Sequence, residues 1–371
     1  MERRVFLGGA FAAAGIDRSK AAMGPTGLQD FDAPLAPVKV ATEREIASRV
    51  GFRPFRAEGF VVRSEALGHK LLVHNYGHGG AGVTLSWGSA RLALSAAGSK
   101  NFDSAAVIGA GIIGLTTAIS LARAGVAVTI YAEASSPETT SDVAAALWQP
   151  STIFRTESMG AAAMEQFRFA ARVSHDAFRD EAGRPGRGVR WIRMFDLSET
   201  PFGSERPEGA DLYPGSRPSP GAARRFGVAH AECYYALVID MSVYLPALIA
   251  EFARLGGRLI ARRFDSPAEL GRLDDAVVFN CTGMGSRTLF ADRLLTPVRG
   301  QITWLKGQPE VDYGYVFDGP QGLLYMFPRE NSIALGGSMG WGETSPTIDE
   351  NDKRRMIEGH ARISARLSRQ L

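Results

Sequence analysis

Apolar and polar residues follow each other in blocks that predict an α/β protein. A short apolar run at 105–108 is followed by a helical pattern at 112–124 and by a second apolar run at 126–132. This strand–helix–strand order predicts two parallel strands joined by a crossover helix. Gly125 follows the helical pattern, at the position where a left-handed residue commonly ends a helix. The segment 105–132 is therefore predicted to form a βαβ unit.

Apolar patterns on both sides of this unit predict further elements. We expect strands at 38–52, 276–280 and 300–306, hairpins at 59–73 and 323–335, and helices at 82–94, 242–255 and 351–371. The pair Arg53-Pro54 is predicted to turn the chain after the first strand. Residues 17–37 and 184–230 are rich in glycine and proline and show few periodic segments. They are predicted to be a linker and a set of surface excursions, respectively.

Composition narrows the class of protein. The chain has 371 residues, of which 45% are hydrophobic and 22% charged, as in an ordinary globular protein of two domains or one large unit. The net charge is only +3 and the basic residues are scattered, so no nucleic-acid partner is expected. No apolar run reaches about 18 residues, so no membrane span is expected. Two cysteines are too few for a disulfide framework or a cysteine metal site.

The N-terminus allows two interpretations. The pair Arg3-Arg4 precedes a weak apolar stretch at 8–16, which resembles a twin-arginine export signal. Such signals carry proteins that are already folded with their cofactor, which would place this protein in the periplasm. The alternative is a tail with a chance arginine pair on a cytoplasmic protein, and the sequence leaves both open.

A glycine-rich loop joins the first strand of the βαβ unit to its helix. The loop has the spacing Gly-x-Gly-x-x-Gly in the order Gly109, Ala110, Gly111, Ile112, Ile113, Gly114. The first glycine permits the tight turn, the second lets the backbone touch a pyrophosphate, and the third allows close helix–strand packing. Glu133 ends the second strand, where a carboxylate binds ribose hydroxyls. The alternative is a glycine-rich βα turn that binds no ligand. The loop alone does not distinguish FAD from NAD.

A second glycine-rich block precedes this loop in the chain. Gly77, Gly79, Gly80 and Gly82 leave backbone groups open to a flat ligand, and a helix is expected to start at Gly82. The amides of its first turn, those of Val83 and Thr84, would stabilise negative charge on such a ligand. His74 and His78 are four residues apart, but no third ligand is near them in sequence, so no metal is expected.

Several segments together resemble the D-amino-acid oxidase family. They are His74–Gly88, Thr139–Pro150, Cys281-Thr282-Gly283, Gly51-Phe52-Arg53-Pro54 and Tyr325-Met326-Phe327-Pro328. In that family the dinucleotide loop opens the protein and the segment corresponding to His74–Gly88 closes it. Here the order is reversed, so the chain is predicted to be a natural circular permutant.

The resemblance implies a Rossmann-like FAD-binding domain joined to an antiparallel-sheet substrate domain. The expected boundaries are 1–35 for a signal-like segment and linker, 36–104 for the permuted segment, 105–180 for the FAD-binding unit, 181–260 for mainly substrate domain, 261–298 for a return to the FAD domain, and 299–371 for substrate domain with a C-terminal helix. Leu371 is expected to lie near residues 35–40, because a permuted chain joins termini that are close in space.

The same resemblance implies roles for residues of the site. The Gly109–Gly114 loop and Glu133 are expected to contact the cofactor. The resemblance adds further cofactor contacts from Thr139, Thr140, Ser141, Ala145, Ala146, Leu147, Thr282, Gly283, Gly79, Gly80, Gly82, Val83 and Thr84. Arg53 and Tyr325 would bind a substrate carboxylate, and the Gly80 carbonyl would receive the amine. Gln149 stands where oxidases of neutral substrates carry glutamine. Ala146 replaces the family's usual glycine, and Tyr313 and Tyr315 fall in the stretch that forms a lid in mammalian members.

The implied function is FAD-dependent oxidation of a D-amino acid by hydride transfer from Cα to flavin N5, with O2 reduced to H2O2. The expected partners are a D-amino acid with a neutral side chain and O2, and a homodimer is the expected assembly if the chain associates. Two alternatives stay open, a dehydrogenase that uses another electron acceptor and a flavin-binding protein without turnover.

Overall fold

A computed structural model of the chain describes residues 30–98, 102–203 and 209–368. Its strands are β1 (Glu45–Arg56), β2 (Val61–Leu67), β3 (Lys70–Tyr76), β4 (Ser104–Ile108), β5 (Ala127–Ala132), β6 (Val189–Ser198), β7 (Arg217–Pro218), β8 (His230–Ile239), β9 (Arg258–Ala261), β10 (Val277–Asn280), β11 (Leu295–Lys306), β12 (Tyr313–Gly319), β13 (Gly322–Pro328), β14 (Ser332–Gly336) and β15 (Gly340–Trp341). Its helices are α1 (Gly82–Ala96), α2 (Ile112–Arg123), α3 (Thr140–Val143), α4 (Ala161–Glu181), α5 (Pro220–Phe226), α6 (Met241–Arg254), α7 (Pro267–Leu270), α8 (Ser286–Leu289) and α9 (Glu350–Ser368).

The smaller sheet has the order β2-β3-β10-β4-β5-β9. Strands β3, β10, β4, β5 and β9 are parallel, and β2 runs antiparallel at one edge. Both faces are buried: Val107 and Phe279 pack in the cluster that includes α1, α2 and α6, whereas Ile108 and Val278 pack in a second cluster on the other face. A sheet covered on both faces explains the continuous apolar runs of its strands. The predicted Rossmann-like unit is confirmed.

The larger sheet runs β1-β11-β14-β13-β12-β6-β8-β7, and β15 also pairs with β11. Its pairs are antiparallel except β12 with β6, which is parallel. One face packs against α5 and α9, and the other carries Ile302, Val316 and Tyr325. The predicted antiparallel substrate sheet is therefore confirmed, with one parallel pair that the sequence pattern did not indicate.

Residues 45–96 contribute to both sheets. Strand β1 pairs with β11 in the larger sheet, whereas β3 pairs with β10 in the smaller one. Helix α1 then packs on α2 and α4. The glycine-rich block at 77–82 follows β3, and the Gly109–Gly114 loop follows β4. Because β3 and β4 are parallel strands on either side of β10, the two blocks lie at the same edge of the sheet.

The C-terminal helix lies against the first described residues. The Ser364 hydroxyl donates a hydrogen bond of 2.6 Å to the carbonyl of Val38, and Leu367 shares a buried cluster with Leu35. Leu371 itself, the twin-arginine pair and part of the expected junction at 95–104 lie outside the described residues. The circular permutation stays a prediction. It requires the C-terminal helix to lie close to residues 35–40, and the contact between α9 and Val38 agrees with that requirement.

Two local predictions are wrong because the residues concerned lie inside strands. Arg53 and Pro54 lie inside β1, paired with Val298 and Pro297, where a turn was predicted. Proline is tolerated there because β1 is an edge strand. Tyr313 and Tyr315 do not form a lid: both are fully buried in β12, and the Tyr315 hydroxyl lies 2.7 Å from His360 Nδ1.

The predicted surface excursion at 184–230 is also wrong near both of its ends. It contains β6, which lies between β12 and β8, and α5. Charged residues in β6 obscured its apolar pattern, although Arg193 is only 1% exposed and pairs with the half-exposed carboxylate of Asp312. The described part of the predicted linker lacks helix or strand until residue 42 but is packed, since Phe31 and Leu35 are buried.

Candidate active site

Residues of both sheets line one cavity of about 580 Å³. The carboxyl ends of β4, β5 and β10 supply one half, which we call the dinucleotide half. Strands β1, β11 and β13 supply the other, which we call the substrate half. Ligands of open parallel sheets bind outside the carboxyl ends of the strands, so the first half is where a nucleotide is expected.

The loop after β4 is a backbone-lined turn. Gly109 has φ +108°, and a Cβ there would lie 2.6 Å from the Cys281 carbonyl oxygen. A Cβ on Gly114 would overlap the Gly109 carbonyl oxygen, so Gly114 packs the helix on the loop and does not line the cavity. Gly109, Ala110, Gly111, Ile112 and Ile113 do line it. The glycines thus allow the loop to fold closely on itself and on Cys281, and the loop forms a cradle lined by backbone.

The N-terminus of α2 faces this cradle. Ser141 Oγ accepts a hydrogen bond of 2.9 Å from the Ile112 amide, and a Cβ on Gly111 would lie 3.1 Å from that oxygen. Thr139 and Asp142 form a reciprocal cap at the start of α3. Thr139, Thr140 and Ser141 line the cavity, so a hydroxyl-rich helix start stands beside the α2 amides.

The end of β5 carries a charge pair that sequence analysis recognised only in part. Glu133 lines the cavity, and its Oε1 lies 3.0 Å from Arg263 Nη1, with both side chains exposed. Arg262 and Phe264 also line the cavity, with the Arg262 guanidinium carbon 4.4 Å from the Phe264 ring centroid. These residues follow β9, which was not predicted. The apolar residues after Gly256-Gly257 were the available indication of that strand.

The segment between α3 and β6 forms one wall. Ala145, Ala146 and Leu147 line the cavity, and Ala146 adopts φ +58°. This left-handed conformation costs a residue with a Cβ about 1–2 kcal/mol, whereas glycine adopts it without that cost. It gives a physical reason for a glycine at this position in the resembling family. Across the cavity, Thr282 and Gly283 follow β10 and line it as well.

The glycine block after β3 packs against the chain at Ser151-Thr152. The Gly80 amide donates to the Thr152 carbonyl at 3.0 Å, and Cβ atoms on Gly79 or Gly80 would collide with Thr152 or Ser151 oxygens. Helix α1 starts here, and Gly79, Gly80, Gly82, Val83 and Thr84 all line the cavity. First-turn amides have no intrahelical acceptor, so this helix start presents donors to a ligand.

His78 is tied into a buried network behind that block. Its Nε2 lies 2.7 Å from Ser89 Oγ, Ser89 bonds to Asn75, and Asn75 Nδ2 donates to Thr117 Oγ1 at 3.1 Å. Burial lowers the pKa of His78 to about 3, so the imidazole is neutral. In the described part of the chain, no group of three or more potential ligands is placed to hold a metal ion.

The substrate half contains a cation with a free donor. Arg53 lines the cavity, and its Nη1 is buried with no hydrogen-bond partner among the described residues. A Cβ on Gly300 would lie 2.6–2.8 Å from the guanidinium atoms, so this glycine makes the room that Arg53 occupies. A buried unpaired donor is costly, which indicates that a ligand acceptor belongs there.

Tyr325 and Gln149 line the same cavity. The Tyr325 ring stacks on Phe327 at 5.2 Å, and a Cβ on Gly336 would overlap the ring. The Gln149 carbonyl accepts a hydrogen bond of 3.4 Å from Thr84 Oγ1, which links it to the start of α1. The structure therefore brings together Arg53, Gly80, Gln149 and Tyr325, which are far apart in sequence.

Apolar residues that sequence analysis did not select complete the substrate half. They are Phe52, Ile302, Val316, Leu323, Phe327 and Met339. Alternation along β11, β12 and β13 was the indication for Ile302, Val316, Leu323 and Phe327. It marks one face of each strand without saying which face meets a ligand.

A comparison with protein families gives the class of this chain. Residues 104–369 match the DAO family, described as FAD dependent oxidoreductase. The chain belongs to this family. The match includes the dinucleotide loop and β4–β15, and begins after β1–β3 and α1. The protein is accordingly a flavoprotein oxidoreductase with FAD as its cofactor.

Curated relatives agree with this assignment. The chain is 31% identical to human D-aspartate oxidase over 258 residues, which are 68% of this chain and 73% of that protein. It is 34% identical to a D-amino-acid oxidase from Streptomyces coelicolor over 235 residues, 62% of this chain and 68% of that protein. It is 31% identical to a D-amino-acid oxidase from Rubrobacter xylanophilus over 271 residues, 71% of this chain and 78% of that protein.

The residues present fit FAD. Gly109 and Gly111 give this part of the cavity a backbone lining, and the starts of α1 and α2 both open on the cavity. Glu133 lines the cavity at the end of β5 and would be the acceptor for ribose hydroxyls. Within the described ranges, no helix combines the length and apolar character needed to cross a membrane.

Proposed function

We propose that this chain oxidises a D-amino acid with a neutral side chain to the imino acid and transfers the electrons to O2, which yields H2O2. The observation that carries the proposal is the buried, unpartnered Nη1 of Arg53 in the cavity that the dinucleotide loop also lines. A carboxylate is the acceptor that suits a guanidinium best, because two parallel hydrogen bonds form between planar groups.

The residues of the substrate half would orient the amino acid. Arg53 and the Tyr325 hydroxyl bind its carboxylate, and the Gly80 carbonyl accepts a hydrogen bond from its amine. These contacts decide for which enantiomer the single Cα hydrogen points toward the cofactor, and orientation of this kind supplies much of the rate enhancement. The stereochemical preference for D-amino acids is drawn from the names of the relatives.

The lining of the cavity favours a neutral side chain. Among the described residues, the charged ones that line it besides Arg53 are Glu133, Arg262 and Arg263, which all belong to the dinucleotide half. The substrate half has apolar walls at Ile302, Val316 and Leu323, so a second carboxylate on the substrate would be desolvated without a partner.

FAD supplies the two-electron oxidant when it is bound. The first-turn amides of α1, those of Val83 and Thr84, line the cavity and would stabilise negative charge on the reduced cofactor. The apolar walls keep water from the reacting carbon, and the released imino acid hydrolyses to the 2-oxo acid and ammonia in solution.

A panel of D- and L-amino acids tests the proposal on the FAD-loaded protein. We expect peroxide release in air with D-amino acids of apolar side chain, slower turnover with D-aspartate, and none with the L-isomers. Anaerobic bleaching of the flavin by the same substrates without peroxide in air would indicate a dehydrogenase with another acceptor. A yellow protein that no amino acid bleaches would refute the proposal.

A further inference from the structure

Arg329 is a buried cation directly behind the wall of the cavity. It follows β13 in the turn to β14, and a charged side chain in such a turn is usually exposed. The side chain is instead 3% exposed. A buried guanidinium has lost its hydration, so its contacts must compensate for a large desolvation cost.

Three groups surround the guanidinium. Its Nη2 donates a hydrogen bond to the Ala144 carbonyl. Its Nη1 lies 4.0 Å from Asp240 Oδ1, on a carboxylate that is 4% exposed. Its central carbon lies 5.5 Å from the centroid of the Trp304 ring. Arg329 thus joins the β13–β14 turn to the short segment that follows α3.

That short segment is the cavity wall. Val143, Ala144, Ala145, Ala146 and Leu147 all line the cavity. Backbone hydrogen bonds to β8 hold its far end, from the Ile239 amide to the Ala146 carbonyl at 2.9 Å and from the Trp148 amide to the Leu237 carbonyl at 2.7 Å. The near end is held at Ala144 by a side chain, that of Arg329.

Asp240 is already engaged by other groups. Its Oδ1 accepts from the Ser242 amide at 3.1 Å as the cap of α6, and its Oδ2 accepts from the Glu330 amide at 3.1 Å. Loss of the arginine alone would remove the cation that is paired with this buried carboxylate, which also interacts with the charge of Arg190. Asparagine caps helices as well as aspartate does, so Asp240→Asn removes the charge and keeps the cap.

We propose that Arg329 is a positioning residue for the cofactor, because it fixes the Ala144 carbonyl and thereby the wall Val143–Leu147 against which FAD binds. The inference rests on the FAD site of the proposed function and is independent of the substrate. Arg329 is placed too far behind the wall to line the cavity itself. Its effect on the cofactor is therefore expected through Ala144.

The test compares Arg329→Met, Arg329→Lys and the double variant Arg329→Met/Asp240→Asn. The dissociation constant of FAD from each apoprotein is measured by flavin fluorescence, together with the melting temperature of the apoprotein. We expect the FAD dissociation constant to rise at least tenfold in the double variant, and less in Arg329→Lys, which keeps the cation. The visible spectrum of bound FAD should shift with the altered wall.

Arg225→Met is the matched control. Arg225 is 19% exposed in its side chain and donates to the carbonyls of Phe31 and Ala33, away from the cavity. This control should lower the melting temperature and leave the FAD dissociation constant within twofold of wild type. The proposal is overturned if every Arg329 variant that folds binds FAD like wild type, or if Arg225→Met weakens FAD equally.

The two proposals fail separately. Protein that binds FAD but oxidises no amino acid would refute the proposed function and leave the Arg329 comparison valid. Normal oxidation of D-amino acids with unchanged FAD affinity in the double variant would refute the role of Arg329 alone.

Discussion

The two halves of the cavity are built from different parts of the chain. The dinucleotide half consists largely of backbone, and its main loop is six consecutive residues, Gly109 to Gly114. The substrate half depends on side chains from distant strands, with Arg53 on β1 and Tyr325 on β13. The first half should therefore be sensitive to added Cβ atoms, whereas the second should be sensitive to loss of single functional groups.

The largest effect is expected from Arg53→Met. Truncating one partner of a buried charge pair costs about 4 kcal/mol, which corresponds to a roughly 10³-fold loss in kcat/KM. FAD affinity should be unchanged, because Arg53 belongs to the substrate half. Steady-state kinetics with a D-amino acid measure the loss, and Arg63→Met, on exposed β2, is the control. A kcat/KM within threefold of wild type would remove Arg53 from the site.

Gly114→Ala is the reverse test, on the dinucleotide half. Its Cβ would overlap the Gly109 carbonyl, so the loop must shift. We expect FAD to bind about 100-fold more weakly, equivalent to about 3 kcal/mol. Fluorescence titration of the apoprotein gives the constant. Gly203→Ala is the control, since nothing lies within 4 Å of the added atom. Unchanged affinity would show that the loop does not bind the cofactor closely.

Gly300→Ala probes the substrate half without touching a functional group. The added Cβ lies within 2.8 Å of the Arg53 guanidinium and should displace it. Loss of well-aligned hydrogen bonds to a charged group costs about 2 kcal/mol, so KM should rise roughly 30-fold. The FAD dissociation constant, measured on the same preparation, should not change. A comparable rise in the FAD dissociation constant would mean that the dinucleotide half and the substrate half do not respond independently.

A small gain is expected from Ala146→Gly. Relief of the left-handed φ, worth about 1–2 kcal/mol, is partly offset by about 0.5–1 kcal/mol of glycine backbone entropy. The melting temperature should rise slightly. Ala145→Gly, at a neighbour without positive φ, should lower it. Equal destabilisation by both changes would contradict the strain at Ala146.

The smallest effect is expected from relinking the chain. A gene that starts at residue 102 and carries residues 30–98 after residue 371, through a short flexible linker, restores the order of the resembling family. Because Ser364 contacts Val38, the linker should be accommodated and FAD affinity should stay within threefold. A relinked protein that expresses well but binds no FAD would contradict the permutation.

Local structure could be predicted from the sequence. The βαβ unit, the β13–β14 hairpin and helix α1 were predicted within a few residues, because periodicity and glycine positions report backbone conformation over short ranges. The predictions are wrong at β6, at β9 and at Arg53-Pro54. In β6 the buried Arg193 is paired with Asp312, an ion pair that a pattern of apolar residues does not reveal.

By itself, the sequence determined the dinucleotide loop, its strand–helix setting and the family resemblance of the glycine block at 77–82. These features depend on residues that are adjacent in the chain. Only the tertiary structure decided that Arg53 has a free buried donor beside Gly300, that Ala146 is left-handed, and that Arg329 points inward to Ala144. Those outcomes depend on how distant strands pack, since burial and unpaired charge are properties of neighbours in space.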